Sequence, residues 1–152
     1  MRLFADAETA AEVLGAHRKW QRVLEAIALA PTLPEGITHS IGDSLTYRVG
    51  SAADLATESL IGRRRYHLVF ACLSGRAVVE VGRKDQLAAK GPYSDLSDRQ
   101  PFAGSAESVE MPAGALLVVG IDEAARVRPD SDSDSRLVQL HVTVEGATFH
   151  NK

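Results

Sequence analysis

Five histidines, a single cysteine and twenty carboxylates are the side chains with which this 152-residue chain could do acid–base, nucleophilic or metal chemistry. His17, His39, His67, His141 and His150 are scattered, with no HExxH motif and no closely spaced pair, so their spacing offers no metal site. Strand neighbours can converge in space, but scattered histidines are more often surface groups or hydrogen-bonded members of a core. Cys72 lies in the apolar run Leu68-Val69-Phe70-Ala71-Cys72-Leu73. A reactive thiol needs exposure and a lowered pKa, and this setting predicts a small buried hydrophobe instead. A lone cysteine also excludes an internal disulfide and a multi-cysteine zinc site.

Glycoside hydrolysis commonly uses two carboxylates, one as acid and one as nucleophile or base. Asp95 with Asp98, Glu107 with Glu110, and Asp122 with Glu123 are the candidate pairs, although a chain with twenty acids places several such pairs in polar loops by chance. Arg63-Arg64-Arg65-Tyr66 follows Gly62 at the start of an apolar run. Arginine grips carboxylates with a fork of donors, and tyrosine puts a polar tip on an apolar body. The group therefore reads either as an anion or sugar contact or as a solvated, interface-forming strand entrance. No glycine-rich phosphate loop, nucleophile elbow or nucleotide fingerprint occurs. The acidic patch Asp130 to Ser135 lacks the glycine and distal glutamate of a calcium-binding EF-hand and reads as a solvated hairpin loop.

The elements that would position these groups are one helical segment and many strands. Thr9 and Glu12 have capping-box spacing, and Trp20, Val23, Leu24 and Ile27 form an i, i+3, i+4, i+7 apolar stripe. The pattern predicts an amphipathic helical segment over about residues 8–29, ended by Pro31 and Pro34 and packed outside the rest of a single domain spanning 1–152. Beyond Gly36 the alternation and turn signals predict strands at 37–41, 44–49, 66–73, 77–81, 86–90, 108–111, 115–121, 124–128 and 136–144. Many short strands after one helical segment indicate a mainly β barrel or sandwich.

Composition narrows the function classes. A net charge of −3 and a pI near 5.9 leave no electrostatic footprint for nucleic acid or an anionic membrane. No window approaches the roughly 18 apolar residues of a membrane span, and the N-terminal residues have no signal-peptide pattern, so a cytoplasmic address is expected.

Three stretches carry a resemblance: Lys19-Trp20-Gln21-Arg22, the eleven residues from His39 to Val49, and Arg64-Arg65-Tyr66. Together with the ending Thr148 to Lys152 they closely resemble the small (beta) subunits of evolved β-galactosidase, within the YhcH/YjgK/YiaL-type cupin-like family, from about Lys19 onward. The resemblance implies a double-stranded β-helix, the cupin-like barrel, with the helical segment outside it. It also implies a partner, the large catalytic β-galactosidase subunit, for whose full activity in carbohydrate metabolism the small subunit is needed. Barrels of this kind also tend to dimerise.

Relatives within this wider family place metal ligands inside the barrel: histidines at the positions of Arg63 and Phe70, an acid at Leu68 and a histidine near Asp122. Side chains alternate along a strand, so Leu68, Phe70 and Cys72 share a face that is apolar here. No metal and no cofactor are therefore expected, and no catalytic residue is assigned. Arg63, Arg64, Tyr66, Phe149 and His150 are the candidate interface residues, because arginine and aromatic groups are enriched at interface cores. The alternative is a free-standing sugar-binding, epimerase or mutarotase-type barrel acting without metal. His39, Tyr47, Arg65, Tyr93, Asp98 and Glu123 are its candidate ligand-binding residues. A self-assembling structural role is a third reading, with only the dimerising tendency behind it.

Overall fold

The computed structural model describes residues 1–42, 45–128 and 135–144. The patch over 130–134 and the tail residues Phe149 and His150 lie outside the described residues. The chain begins with β1 (Arg2–Phe4), α1 (Ala7–Leu14) and α2 (Arg18–Leu29), followed by a 3-10 turn at Ala30–Thr32. Then come β2 (Thr38–Ile41), β3 (Leu45–Ser51), α3 (Ala52–Leu55), β4 (Leu60–Gly62), β5 (Tyr66–Ser74) and β6 (Arg76–Arg83). The return half is β7 (Ala88–Ala89), β8 (Gln100–Ala103), β9 (Glu107–Pro112), β10 (Leu116–Val119), β11 (Glu123–Val127) and β12 (Arg136–Thr143).

The strands form two six-stranded sheets, β1-β10-β5-β12-β3-β2 and β7-β8-β4-β11-β6-β9. Their antiparallel partners are nested: β3 with β12, β4 with β11, β5 with β10 and β6 with β9. Successive nested pairs fall alternately in the first and second sheet. A long hairpin folded back in this way and wound between two sheets is a double-stranded β-helix, the mainly β barrel that the sequence predicts.

The first sheet is covered on both faces. Leu45, Tyr47, Val49, Val69, Ala71, Leu116, Val118, Val138, Leu140 and Val142 pack with Leu14, Val23, Ala26 and Ile27 of the two helices. The alternate residues Leu68, Phe70, Cys72, Leu117, Val119 and Leu137 pack instead against Val79, Val81, Val109, Met111, Ala125 and Val127 of the second sheet. The helices thus sit outside the barrel and seal the far face of one of its walls. No helix among the described residues is long and apolar enough to cross a membrane.

The structure corrects the N-terminal reading. The expected single helix is two, and the first is capped by Asp6, whose side chain accepts from the Thr9 N–H at 2.7 Å. Thr9 is inside that helix, three residues after its true cap. The break comes at Gly15, where a Cβ would stand 2.5 Å from the Ala11 carbonyl oxygen, so the chain turns tightly there. The strand expected over 86–90 is a 3-10 turn at Lys84–Gln86 followed by the two residues of β7. The sequence reading did not mark β1, β4 or β8 as strands, nor α3 as a helix. Each spans only three or four residues, too few to show a period.

Candidate functional site

Across β3 and β12, Gln139 lies opposite Arg48 and His141 opposite Thr46. Their sequence neighbours face the helices, so these four point toward the second sheet. They line a cavity of about 370 Å³ that continues over Leu68 and Phe70 and meets Ile61, Arg63, Ala125 and Val127 on the far side. An adjoining cavity of about 360 Å³ shares Thr46, Arg63, Arg99 and His141 and extends to Arg65, Tyr66 and Asp98. The two form one cleft. Toward β5 and β10 the space between the sheets is filled by apolar side chains, and toward β3 and β12 it is open and polar.

One wall of the cleft is held by Asp98, whose side chain is buried. Its carboxylate accepts the Arg64 N–H at 2.9 Å and the Arg65 N–H at 3.2 Å, and the Tyr93 hydroxyl donates to it as well. Its backbone carbonyl accepts from Arg63 Nη1 at 3.2 Å. The Arg64 guanidinium lies 3.9 Å above the Tyr93 ring, and Arg65 pairs with Asp95 at 3.3 Å. Burial and the hydrogen bond to Asp98 push the Tyr93 phenol up. The arginine run and the 93–99 loop are therefore one knot, bringing together Arg65, Tyr93 and Asp98 of the sequence-predicted ligand residues.

The other three are placed differently. His39 stacks on Tyr47, with ring centroids 5.4 Å apart, and Tyr47 belongs to the helix-side core although it also borders the cavity. Glu123 pairs with the Met1 amine at 2.7 Å and accepts the Gly120 N–H at 3.0 Å. It lines a separate cavity beside Trp20 and His67. Among the candidate interface residues, Arg63 lines the cleft, Arg64 is exposed, and Tyr66 stands edge-on to His141 at 6.4 Å.

Sequence reasoning named Arg63 as an interface candidate and His141 among five scattered histidines, but it gave neither a ligand-binding role and did not single out Arg48 or Arg99. Burial pushes the His141 imidazole down to about 3, with Arg63, Arg99 and Arg48 acting in the same direction and Asp98 against them. The imidazole is therefore neutral at pH 7. Its Nε2 is buried without a hydrogen-bond partner, as is Arg63 Nε. Burial and the nearby Arg99 also lower the Arg63 guanidinium. For Arg48 and His141 the signal was present in the alternation of β3 and β12, where Thr46, Arg48, Gln139 and His141 occupy the polar phase.

The cleft has little of a glycosidase's machinery. Asp54 is the carboxylate that lines the larger cavity, and the oxygens of Asp98 are already engaged. Asp95 is spent on Arg65, and Glu110 pairs with Arg76 on the surface. A metal fits no better. At the positions where the resemblance puts ligands, Leu68 and Phe70 are buried in the inter-sheet core, and Arg63 is cationic. Among the described residues no three His, Cys, Asp or Glu side chains gather as ligands. Cys72 is buried in the same core, and burial pushes its thiol up, away from the reactive thiolate.

No family model matches the chain. Solved structures with a similar chain course include a cupin protein from Bacteroides fragilis, 13% identical, covering 77% of this chain and 85% of that one, with a TM-score of 0.41. A protein from Bacillus halodurans is 13% identical over 73% of this chain and 71% of its own, with a TM-score of 0.46. A mutant of the 3,4-ketoisomerase QdtA from Thermoanaerobacterium thermosaccharolyticum, in complex with TDP-4-keto-6-deoxyglucose, is 13% identical over 64% of this chain. This chain covers 56% of that enzyme, with a TM-score of 0.41. The likeness is in the course of the strands, at identities too low to transfer a substrate or an activity.

Proposed function

We propose that this chain is the non-catalytic small subunit of a two-component β-galactosidase. It docks on a large glycosidase subunit in the cytoplasm and raises that subunit's turnover by ordering elements near its active site. The observation that carries this reading is where the family-like stretches lie in space. Lys19 to Arg22, His39 to Val49 and Arg64 to Tyr66 are far apart in sequence. In the fold the Trp20 ring is 5.8 Å from that of His67, the residue following Tyr66. Lys19 Nζ donates to the Thr143 and Val144 carbonyls at 3.0 Å, next to the start of β5. The Arg22 guanidinium approaches Gly42 so closely that a Cβ there would stand 2.6 Å from it. Matches that lie together in the fold, with Ser40, Gly42 and Arg64 exposed among them, support a shared surface, and a shared surface supports a shared partner. Among the described residues the cleft holds no free carboxylate pair, which supports docking over cleavage.

Titrating the purified large subunit from the same organism with this chain tests the reading, with size exclusion and lactose turnover as readouts. Co-elution at a fixed ratio with saturating activation is the expected result. Separate elution with unchanged turnover, or a peak containing only copies of this chain, would sink it.

The second reading is a free-standing sugar-binding or sugar-isomerising barrel without metal. The polar cleft itself favours it, because small ligands bind in the mouths of such barrels. Saturable sugar binding by the isolated chain, with no effect on the large subunit, would put it ahead of the first.

A further inference from the structure

Arg65, Arg76, Arg83, Arg126 and Arg136 each have a carboxylate oxygen within 3.3 Å. The three that surround His141 do not. Arg48 and Arg99 make no ion pair among the described residues, and Arg63 gives its Nη1 to the Asp98 and Ser97 carbonyl oxygens. Asp98, the acid whose charge acts on this group, spends its carboxylate on two backbone N–H groups and the Tyr93 hydroxyl. Like charges gathered against low-dielectric walls cost free energy, and an anion bound between them offsets that cost.

Two buried polar atoms without partners, Arg63 Nε and His141 Nε2, belong to residues lining this cleft. The uncharged groups beside them are those of a hydroxyl-binding site. Gln139 offers both a donor and an acceptor, as does a neutral imidazole, and Phe70 gives an apolar surface for the C–H face of a ring. A volume of about 370 Å³ suits a monosaccharide-sized molecule. A neutral sugar would leave the guanidinium charges uncompensated, whereas a carboxylate or phosphate matches their forked donors.

We infer that this cleft binds a small hydroxylated oxyanion of monosaccharide size, an acidic sugar whose carboxylate or phosphate is held by Arg48, Arg63 and Arg99 and whose hydroxyls meet Gln139 and His141. The site belongs to this chain alone and stands or falls independently of docking on a glycosidase. Calorimetric titration of the full chain with galacturonate, galactose 6-phosphate, galactose and inorganic phosphate tests it. One acidic sugar binds at one site per chain, at least tenfold tighter than both galactose and inorganic phosphate. Which acid binds identifies the anionic group. Arg99→Gln, a change at an exposed side chain, weakens that binding at least tenfold with the urea midpoint unchanged, and Arg48→Gln does the same if it folds. Galactose or inorganic phosphate binding as tightly as the acids overturns the inference. So does the absence of binding by either acid at millimolar concentration, or full affinity in the Arg99→Gln variant.

Discussion

At Asp98 the backbone enters the left-handed region with φ at 53°, the one non-glycine residue to do so among those described. Aspartate tolerates this conformation because its short carboxylate can bond the chain nearby. Here the carboxylate instead spans 33 and 34 positions of sequence, holding the amides of Arg65 and Arg64. Asp98→Ala strands two partly buried N–H groups and puts a methyl side chain at a strained φ. We expect it to cost about 3 kcal/mol. Asp98→Asn keeps an acceptor oxygen and tolerates the same backbone, so its cost is about 1 kcal/mol. Urea unfolding of both variants checks this, and equal losses would mean that the negative charge matters more than the acceptors. The sequence marks Asp98 as an acid in a polar loop and as half of a carboxylate pair with Asp95. It does not show that the two diverge, Asp98 turning inward to the arginine run and Asp95 outward to the Arg65 guanidinium, because the partners are so far upstream.

The strands of the first sheet divide into two kinds. On β5 and β10 both phases are apolar, one packed on the helices and one on the second sheet. On β3 and β12 the helix-side phase is apolar, while Thr46, Arg48, Gln139 and His141 make the other phase polar. Strand existence was legible because apolar runs bounded by glycine and proline survive in either case. The cleft was not. A polar phase ordinarily faces water, and only the two helices covering the opposite face show that here it faces into the barrel. Leu137 belongs to β12 yet packs between the sheets, fully buried, at the point where the β5–β12 register shifts. Leu137→Ala should therefore cost about 2–5 kcal/mol, the range for an incompletely collapsed cavity. Leu29, at the end of α2 and 52% exposed, gives the contrast: Leu29→Ala should stay within about 0.5 kcal/mol of the parent. Denaturant midpoints at a common slope measure both, and a large loss at Leu29 would show that another surface covers it.

For the molecule as a whole, the cost of keeping His141 neutral shows in the pH dependence of folding. Its folded value lies near 3 against an ordinary 6.5, so within that window the unfolded chain binds a proton that the folded chain does not. Stability accordingly rises with pH across the window and is lost as the pH falls below 6.5. The loss at pH 5 amounts to about 2 kcal/mol relative to pH 7, at 1.36 kcal/mol for each unit below the unfolded value. His67, held down by burial and by Lys19, contributes in the same direction, so the two must be separated. Replacing the imidazole with an amide that does not titrate does so. His141→Gln should lose about 2 kcal/mol less than the parent between pH 7 and pH 5 in urea titrations, while His67→Gln leaves the His141 share in place. The same measurement reads the state of the cleft. An oxyanion bound among Arg48, Arg63 and Arg99 cancels part of the positive field on the imidazole and raises its folded pKa. A saturating acidic sugar should therefore flatten the pH dependence of the parent more than that of His141→Gln. Equal slopes for parent and His141→Gln would mean that the imidazole reaches water on protonation, and that the cleft opens more readily than its buried floor implies.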